Sequence, residues 1–152
     1  MNDYYTDMDW IQINNQTDIE HLLSEYDSFH DSCVYSAHYI SGARVDDMKS
    51  MEWVREDCVL ILKFDSQSPP HDEKRDKNTI ELKFIGPRRI NIIGNRDNYF
   101  CEILGSYLSF YDGFIIWADD DSFDPNNIDS AKLYDETMHT FIVADRLEWR
   151  FC

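Results

Sequence analysis

Phe29-His30-Asp31-Ser32 sets a base, a carboxylate and a hydroxyl side by side. A carboxylate can orient an imidazole, and the imidazole can deprotonate a hydroxyl, so these residue types point to hydrolysis. Adjacency in the chain argues the other way. Members of a triad converge in space, whereas consecutive residues on an extended segment point to alternating sides, and no Gly-x-Ser-x-Gly elbow occurs. The competing reading is a His30-Asp31 pair that hydrogen-bonds backbone where a helix ends.

Asp119-Asp120-Asp121 with Asp124 is the densest acidic run. A hard cation such as Ca²⁺ would suit such oxygens, but an EF-hand loop needs ligands at positions one, three and five, Gly at six and Glu at twelve. Started at Asp119, the fifth position is Phe123; started at Asp120, the sixth is Pro125 and the twelfth Ala131. Both registers fail, which leaves a solvated strand end or an anionic recognition surface. His21, His30, His38, His71 and His139 show no HxH or HExxH spacing, and Cys33, Cys58, Cys101 and Cys152 no CxxC. The cysteines read as reduced, most of them small core residues. No metal, cofactor or catalytic residue is expected, and a non-enzymatic role is favoured.

Thirty Asp and Glu against fourteen Lys and Arg give a net charge of −16. Such a chain repels nucleic acid and anionic membranes and attracts basic proteins. Residues 1–43 hold eight acids and no Lys or Arg. No apolar run approaches the roughly 20 residues of a membrane span, and the first residues lack signal-peptide character, so a cytoplasmic location is expected by default.

The elements that must position these residues are mostly strands. Asp112-Gly113 suits a type I′ turn between Tyr107–Tyr111 and Phe114–Ala118, setting Tyr111 opposite Phe114, Phe110 opposite Ile115 and Leu108 opposite Trp117. Both faces are largely apolar, which predicts a hairpin in the middle of the domain. Thr17-Asp18-Ile19-Glu20 has capping-box form, and Ile19, Leu22, Leu23 and Tyr26 follow at helical spacing, so a helix of about ten residues is predicted after Thr17. Trp10–Ile13 reads as a short strand or a cover over the core. Strands are predicted over 33–41, 58–65, 79–84 and 88–93, with Gly86-Pro87 as a tight corner. A long connection or distorted edge is expected at 43–57 and a polar loop at 66–78. A helical turn is predicted near 128–133. Residues 139–151 close the chain with Phe141, Val143, Leu147, Trp149 and Phe151 on one face; Asp145 falls among them unless a bulge near Ala144 turns it outward. The expected fold is α+β: a single domain over 1–152, mostly antiparallel, with a strongly curved six- to seven-stranded sheet or partly open barrel and one N-terminal helix packed on it.

Several blocks also bear a resemblance. Phe29–Cys33 continuing to Tyr39–Ala43, then Asn98–Ile103, Asp112-Gly113 with Ile116–Asp120, and Ala144 with Leu147–Arg150 together resemble a widespread bacterial family of small uncharacterised cytoplasmic proteins. The resemblance carries no catalytic residues. It implies likeness to immunity proteins of polymorphic toxin systems. The expected function is then an acidic binding protein that neutralises a basic protein partner, such as a nuclease toxin, through Tyr4, Tyr5, His30, Asp31, Asp119, Asp120, Asp121, Phe123 and Asp124. The alternative is a small-molecule-binding or hydrolytic domain using His30, Asp31 and the acidic strand end.

Overall fold

The computed structural model describes residues 9–94, 101–130 and 139–152. Its centre is the pairing of the two longest strands, β6 (Ile80–Asn91) and β9 (Phe141–Phe151), which run antiparallel over their whole length. β5 (Val59–Ser66) lies on the other side of β6. Alternation in all three builds buried rows across the sheet: Leu62 faces Leu82, which faces Trp149, and Leu60 faces Phe84, which faces Leu147. Burying each such side chain contributes about 1.5–3 kcal/mol. β2 (Ser32–Ile40) adds outside β5, and β8 (Phe114–Ala118) and β7 (Tyr107–Tyr111) add outside β9. The remaining half of that β9 edge takes β1 (Ile11–Ile13) opposite Leu147–Trp149. The result is a seven-stranded antiparallel sheet, not closed into a barrel, with α1 (Gln16–Glu25) packing Ile19 and Leu22 into its core. This is the expected α+β class.

The β7–β8 hairpin has the predicted register, with positive φ at both Asp112 (51°) and Gly113 (81°). Its position differs: β7 is an edge strand rather than a central one, and Phe110 and Tyr111 are exposed. Only β8 is covered on both faces. Its Ile115 and Trp117 face the main core, and Ile116 and Ala118 face a second cluster with Phe123, Phe141 and Val143.

The helix begins two residues before the predicted start. Asn15 is the cap, its Oδ1 accepting from the Asp18 amide at 3.0 Å while the Asp18 carboxylate accepts from the Asn14 amide at 2.8 Å. Asn caps at least as well as Thr, and this start puts Asp18 in the first turn at the positive end of the helix dipole. Trp10 does not cover the core. Its ring lies on the outer sheet face, 4.7 Å from Lys83 Nζ and 4.2 Å from the Arg150 guanidinium carbon.

The segment expected as a connection is an ordered arm. β3 (Ala43–Val45) and β4 (Met51–Trp53) pair as a separate ribbon. Asp46 closes its turn by accepting from the Met48 and Ser50 amides, both at 2.9 Å. The ribbon has two unlike faces. Ala43 faces Trp53 and Val45 faces Met51 on one, while Arg44 is ion-paired to Glu52 on the other.

Gly86-Pro87 is not a corner. β6 runs through it with a register shift between Pro87 and Arg89, Gly86 taking φ +62°. Asp145 lies against Gly86, and β9 changes face there: Ile142 and Ala144 share the main core with Leu147 and Trp149, whereas Phe141 and Val143 line the second cluster. The single face expected for Phe141, Val143 and Leu147 is therefore split. The Asp145 carboxylate is turned to two arginines, Arg55 Nη2 at 2.7 Å and Arg88 Nε at 2.9 Å. Partial burial raises its pKa, but the hydrogen bonds from Arg55 and Arg88 outweigh that and hold the carboxyl below its ordinary value. Asp145→Ala is expected to destabilise the fold by about 1–3 kcal/mol at pH 7. Because the folded-state pKa is the lower one, the difference should be complete above the ordinary value of about 3.9 and vanish as pH falls through the folded-state value, in urea unfolding of both proteins.

Candidate functional site

Two of the stretches singled out in sequence, His30-Asp31 and Asp119–Asp121, come together through residues 101–106 at the start of β2. The exit from α1 is a tight left-handed run, with φ of 50°, 52° and 63° at Asp27, Ser28 and Phe29 and 58° at Asp31. Such conformations persist only where the surroundings hold them. Here Phe29 is the anchor: it is fully buried, its ring 4.9 Å from Phe64, 5.1 Å from Tyr26 and 5.9 Å from Trp117. The run leaves His30 and Asp31 at the surface as a pair, Nδ1 to Oδ2 3.1 Å. Ser32 is buried and its hydroxyl donates to the Phe29 carbonyl. The hydroxyl of the triad-like tetrad is thus committed to the backbone.

The second acidic stretch leaves β8. Asp119 and Asp120 flank His139, whose Nδ1 lies 3.6 Å and 3.7 Å from their carboxylates. Asp120 accepts from the Ser122 amide at 2.8 Å and its hydroxyl at 2.6 Å. The Ser122 hydroxyl bond is the main reason the Asp120 pKa is lowered, against some desolvation and with help from the Ser122 amide, His139 and Asp121. Asp121 is exposed. Asp124 instead caps the 3₁₀ turn Pro125–Ser130, accepting from the Asn126 amide at 2.9 Å; that turn overlaps the start of the helical turn predicted at 128–133, whose remainder lies outside the described residues. Phe123 is no surface aromatic. It is buried between Tyr107, Phe141 and His139, with ring centroids 5.5, 5.2 and 6.2 Å away. Tyr4 and Tyr5 lie outside the described residues.

What unites the two stretches is residues 101–106. Ile103 is buried and bridges to β2: its amide donates to the Ser32 carbonyl at 2.8 Å, and its carbonyl accepts from the Asp31 amide at 2.9 Å. Two residues on, Gly105 lies against Asp121, whose carboxylate would be 3.2 Å from any Cβ placed there. Asp31 and Asp121, ninety positions apart, therefore flank one short segment. The sequence reading did not find Ile103 or its neighbour Glu102. Ile103 lies in a short apolar stretch, Tyr99-Phe100-Cys101-Glu102-Ile103-Leu104, that follows neither a strand nor a helix period, so no local pattern marks it as the clasp.

Around this segment runs an open cleft of about 270 Å³ lined by 101–105, Asp119–Asp121 and His139, with a neighbouring hollow that adds Asp31 and Asp65. No Lys or Arg is among the described residues lining either. Basic residues gather instead on the outer sheet face, where Lys63, Glu81 and Arg150 form one row and Lys83 and Glu148 part of the next, ion-paired at 2.8 Å in both cases. Charge is thus sorted between surfaces. No group of three His, Cys, Asp or Glu among the described residues is arranged to hold a metal ion. Of the cysteines, Cys58 alone is buried, Cys33 is half-buried and Cys101 and Cys152 are exposed, so most are not core residues.

Fold and site together define an α+β protein with an open, anionic cleft at one end of an antiparallel sheet. No protein-family model matches the sequence, and no curated protein or solved structure is significantly similar to it. No helix among the described residues is long and apolar enough to cross a membrane.

If the Ser122 hydroxyl holds Asp120 ionised, Ser122→Ala should raise the Asp120 pKa toward the ordinary carboxylate value. A ¹³C-detected carboxyl titration measures this, and an unchanged Asp120 midpoint would contradict it.

Proposed function

We propose that the protein is a non-enzymatic binding protein that captures a basic protein partner in the acidic cleft. The observation that carries this reading is the convergence of Asp31, Glu102, Asp119, Asp120 and Asp121 along 101–106, with no Lys or Arg lining the cleft among the described residues. Ser122 fixes the Asp120 carboxylate and His30 lies beside that of Asp31, so these two groups need little ordering when a basic surface docks. Their field speeds encounter with such a surface and disfavours acidic competitors. A nuclease has a basic substrate cleft, and an acidic protein seated there blocks it. The resemblance to immunity proteins of polymorphic toxin systems agrees with this role and with a cytoplasmic site of action.

The enzymatic alternative has less support. His30 is half-exposed, Ser32 donates to backbone, and the cleft is smaller than the roughly 300–1,000 Å³ usual for sites that enclose a small molecule.

The test is a pull-down from source cells, identification of the captured protein, and titration with that protein purified. A basic partner is expected. Changing Asp119, Asp120 and Asp121 to Lys should slow association by about 10-fold or more at low salt. Affinity that ignores both the triple change and added NaCl would overturn the electrostatic account.

A further inference from the structure

His139 stands in the acidic cleft with its Nδ1 3.6 Å from the Asp119 carboxylate and 3.7 Å from that of Asp120. Among the described residues lining the cleft, it is the one side chain that can become positive. An imidazole changes charge between about pH 5 and 8. The cleft therefore carries its own counter-ion on the acid side of that range and lacks it on the other.

The surroundings of His139 hold it there and supply its field. Asn91 Nδ2 donates to its carbonyl at 2.6 Å, and the Phe123 ring meets the imidazole edge to face at 6.2 Å. Asp119 and Asp120 approach it from the exit of β8, Asp121 follows them against Gly105, and Cys101 and Glu102 line the wall made by 101–105. From β6, Arg89 is directed to the Phe141 ring, its guanidinium carbon 5.4 Å from the centre, and Arg88 to Asp145. The charged groups that share the cleft with His139 are all acids. At 3.6 and 3.7 Å neither carboxylate is hydrogen-bonded to its Nδ1. Asp120 shows the consequence most clearly: its Oδ1 takes both bonds from Ser122, while Oδ2 is the oxygen turned to the imidazole.

We infer that His139 is a proton-operated switch on the cleft: neutral, it leaves the acids to a cationic side chain of the partner, and protonated, it takes that place itself. This rests on the reading of the cleft as the site for a basic protein. The sign follows directly. Raising the pH removes a positive charge from the cleft, so affinity for a cationic partner rises with pH, and docking within the titration range expels a proton. His21, His38 and His71 lose charge over the same range but do not line the cleft.

The probe is an end-blocked peptide of lysine and glycine, whose own charge is constant over this range. Its affinity should be weaker by about 10-fold or more at about pH 5.5 than at about pH 7.5, at low salt. In His139→Gln the difference should shrink below about 3-fold, the remainder coming from the other histidines through net charge. His139→Lys should bind at the upper pH as weakly as the wild type does at the lower. His30→Gln, which removes an imidazole outside the cleft lining, should keep most of the dependence. A further readout needs no variant: calorimetry midway through the range, in buffers of different ionisation enthalpy, should show protons released on binding. Equal affinity at both pH values, a dependence that His139→Gln retains in full, or binding without proton release overturns the switch and leaves the cleft as the site. No peptide binding at the upper pH overturns the reading of the cleft, and the switch with it.

Discussion

The pairing of β6 with β9 is the constraint on which the rest of the structure depends. These strands are the longest in the chain, and between them they contact β5, β8 and β1. Their ladder is bent where Gly86 takes a left-handed conformation and β6 gains an extra residue after Pro87. Opposite that point β9 changes face, so one strand serves two apolar clusters, and Asp145 is left facing out of both. A lone carboxylate there would be costly; two arginines from different parts of the chain make it a tie instead. Arg55 precedes β5 and follows the arm, so the clamp also fixes where the arm leaves the sheet.

Curvature is what turns separate acidic stretches into one surface. In a flat sheet of order β2-β5-β6-β9-β8-β7 the start of β2 and the exit of β8 would lie far apart. Here they are joined through Ile103 and Gly105, across the open side of the curved sheet. The aromatic group Phe29, Phe64 and Trp117 fills the space beneath, with ring centroids 4.9–5.9 Å apart, and holds the strained exit of α1 in place. The site is therefore a product of core packing, although its functional atoms are on the surface.

Much of this was legible in the sequence because it is local. The Asp112-Gly113 turn, the alternation of 58–65 and 79–84, and the spacing of Ile19, Leu22 and Tyr26 each report on neighbours a few residues away. What the sequence hid depends on partners far along the chain. The even balance of apolar residues on the two faces of the β7–β8 hairpin suggested a central position, yet only β8 gains a neighbour on its far side. Gly86-Pro87 has the composition of a corner, and only the uninterrupted partner strand shows it to be a bulge. Phe123 sits in an acidic run and is nonetheless core, because Phe141 and Tyr107 come over it from other strands. At the site, the acids were visible as acids, but their meeting place was not, since the residues around Ile103 follow neither a strand nor a helix period. Asp124, equally acidic, proved to be a turn cap.

The account thus sorts an acidic chain into surfaces of different character: an anionic cleft along 101–106 and an outer sheet face laddered with ion pairs. Its central claim is that the cleft, rather than the net charge as a whole, recognises cationic protein. The most direct measurement is an amide-resolved NMR titration with a lysine-rich peptide. Shifts concentrated at His30, Asp31, 101–106 and Asp119–Asp121, and reversed by salt, are the predicted result. Shifts spread evenly over the acidic surface, or confined to the arm or the outer sheet face, would contradict it.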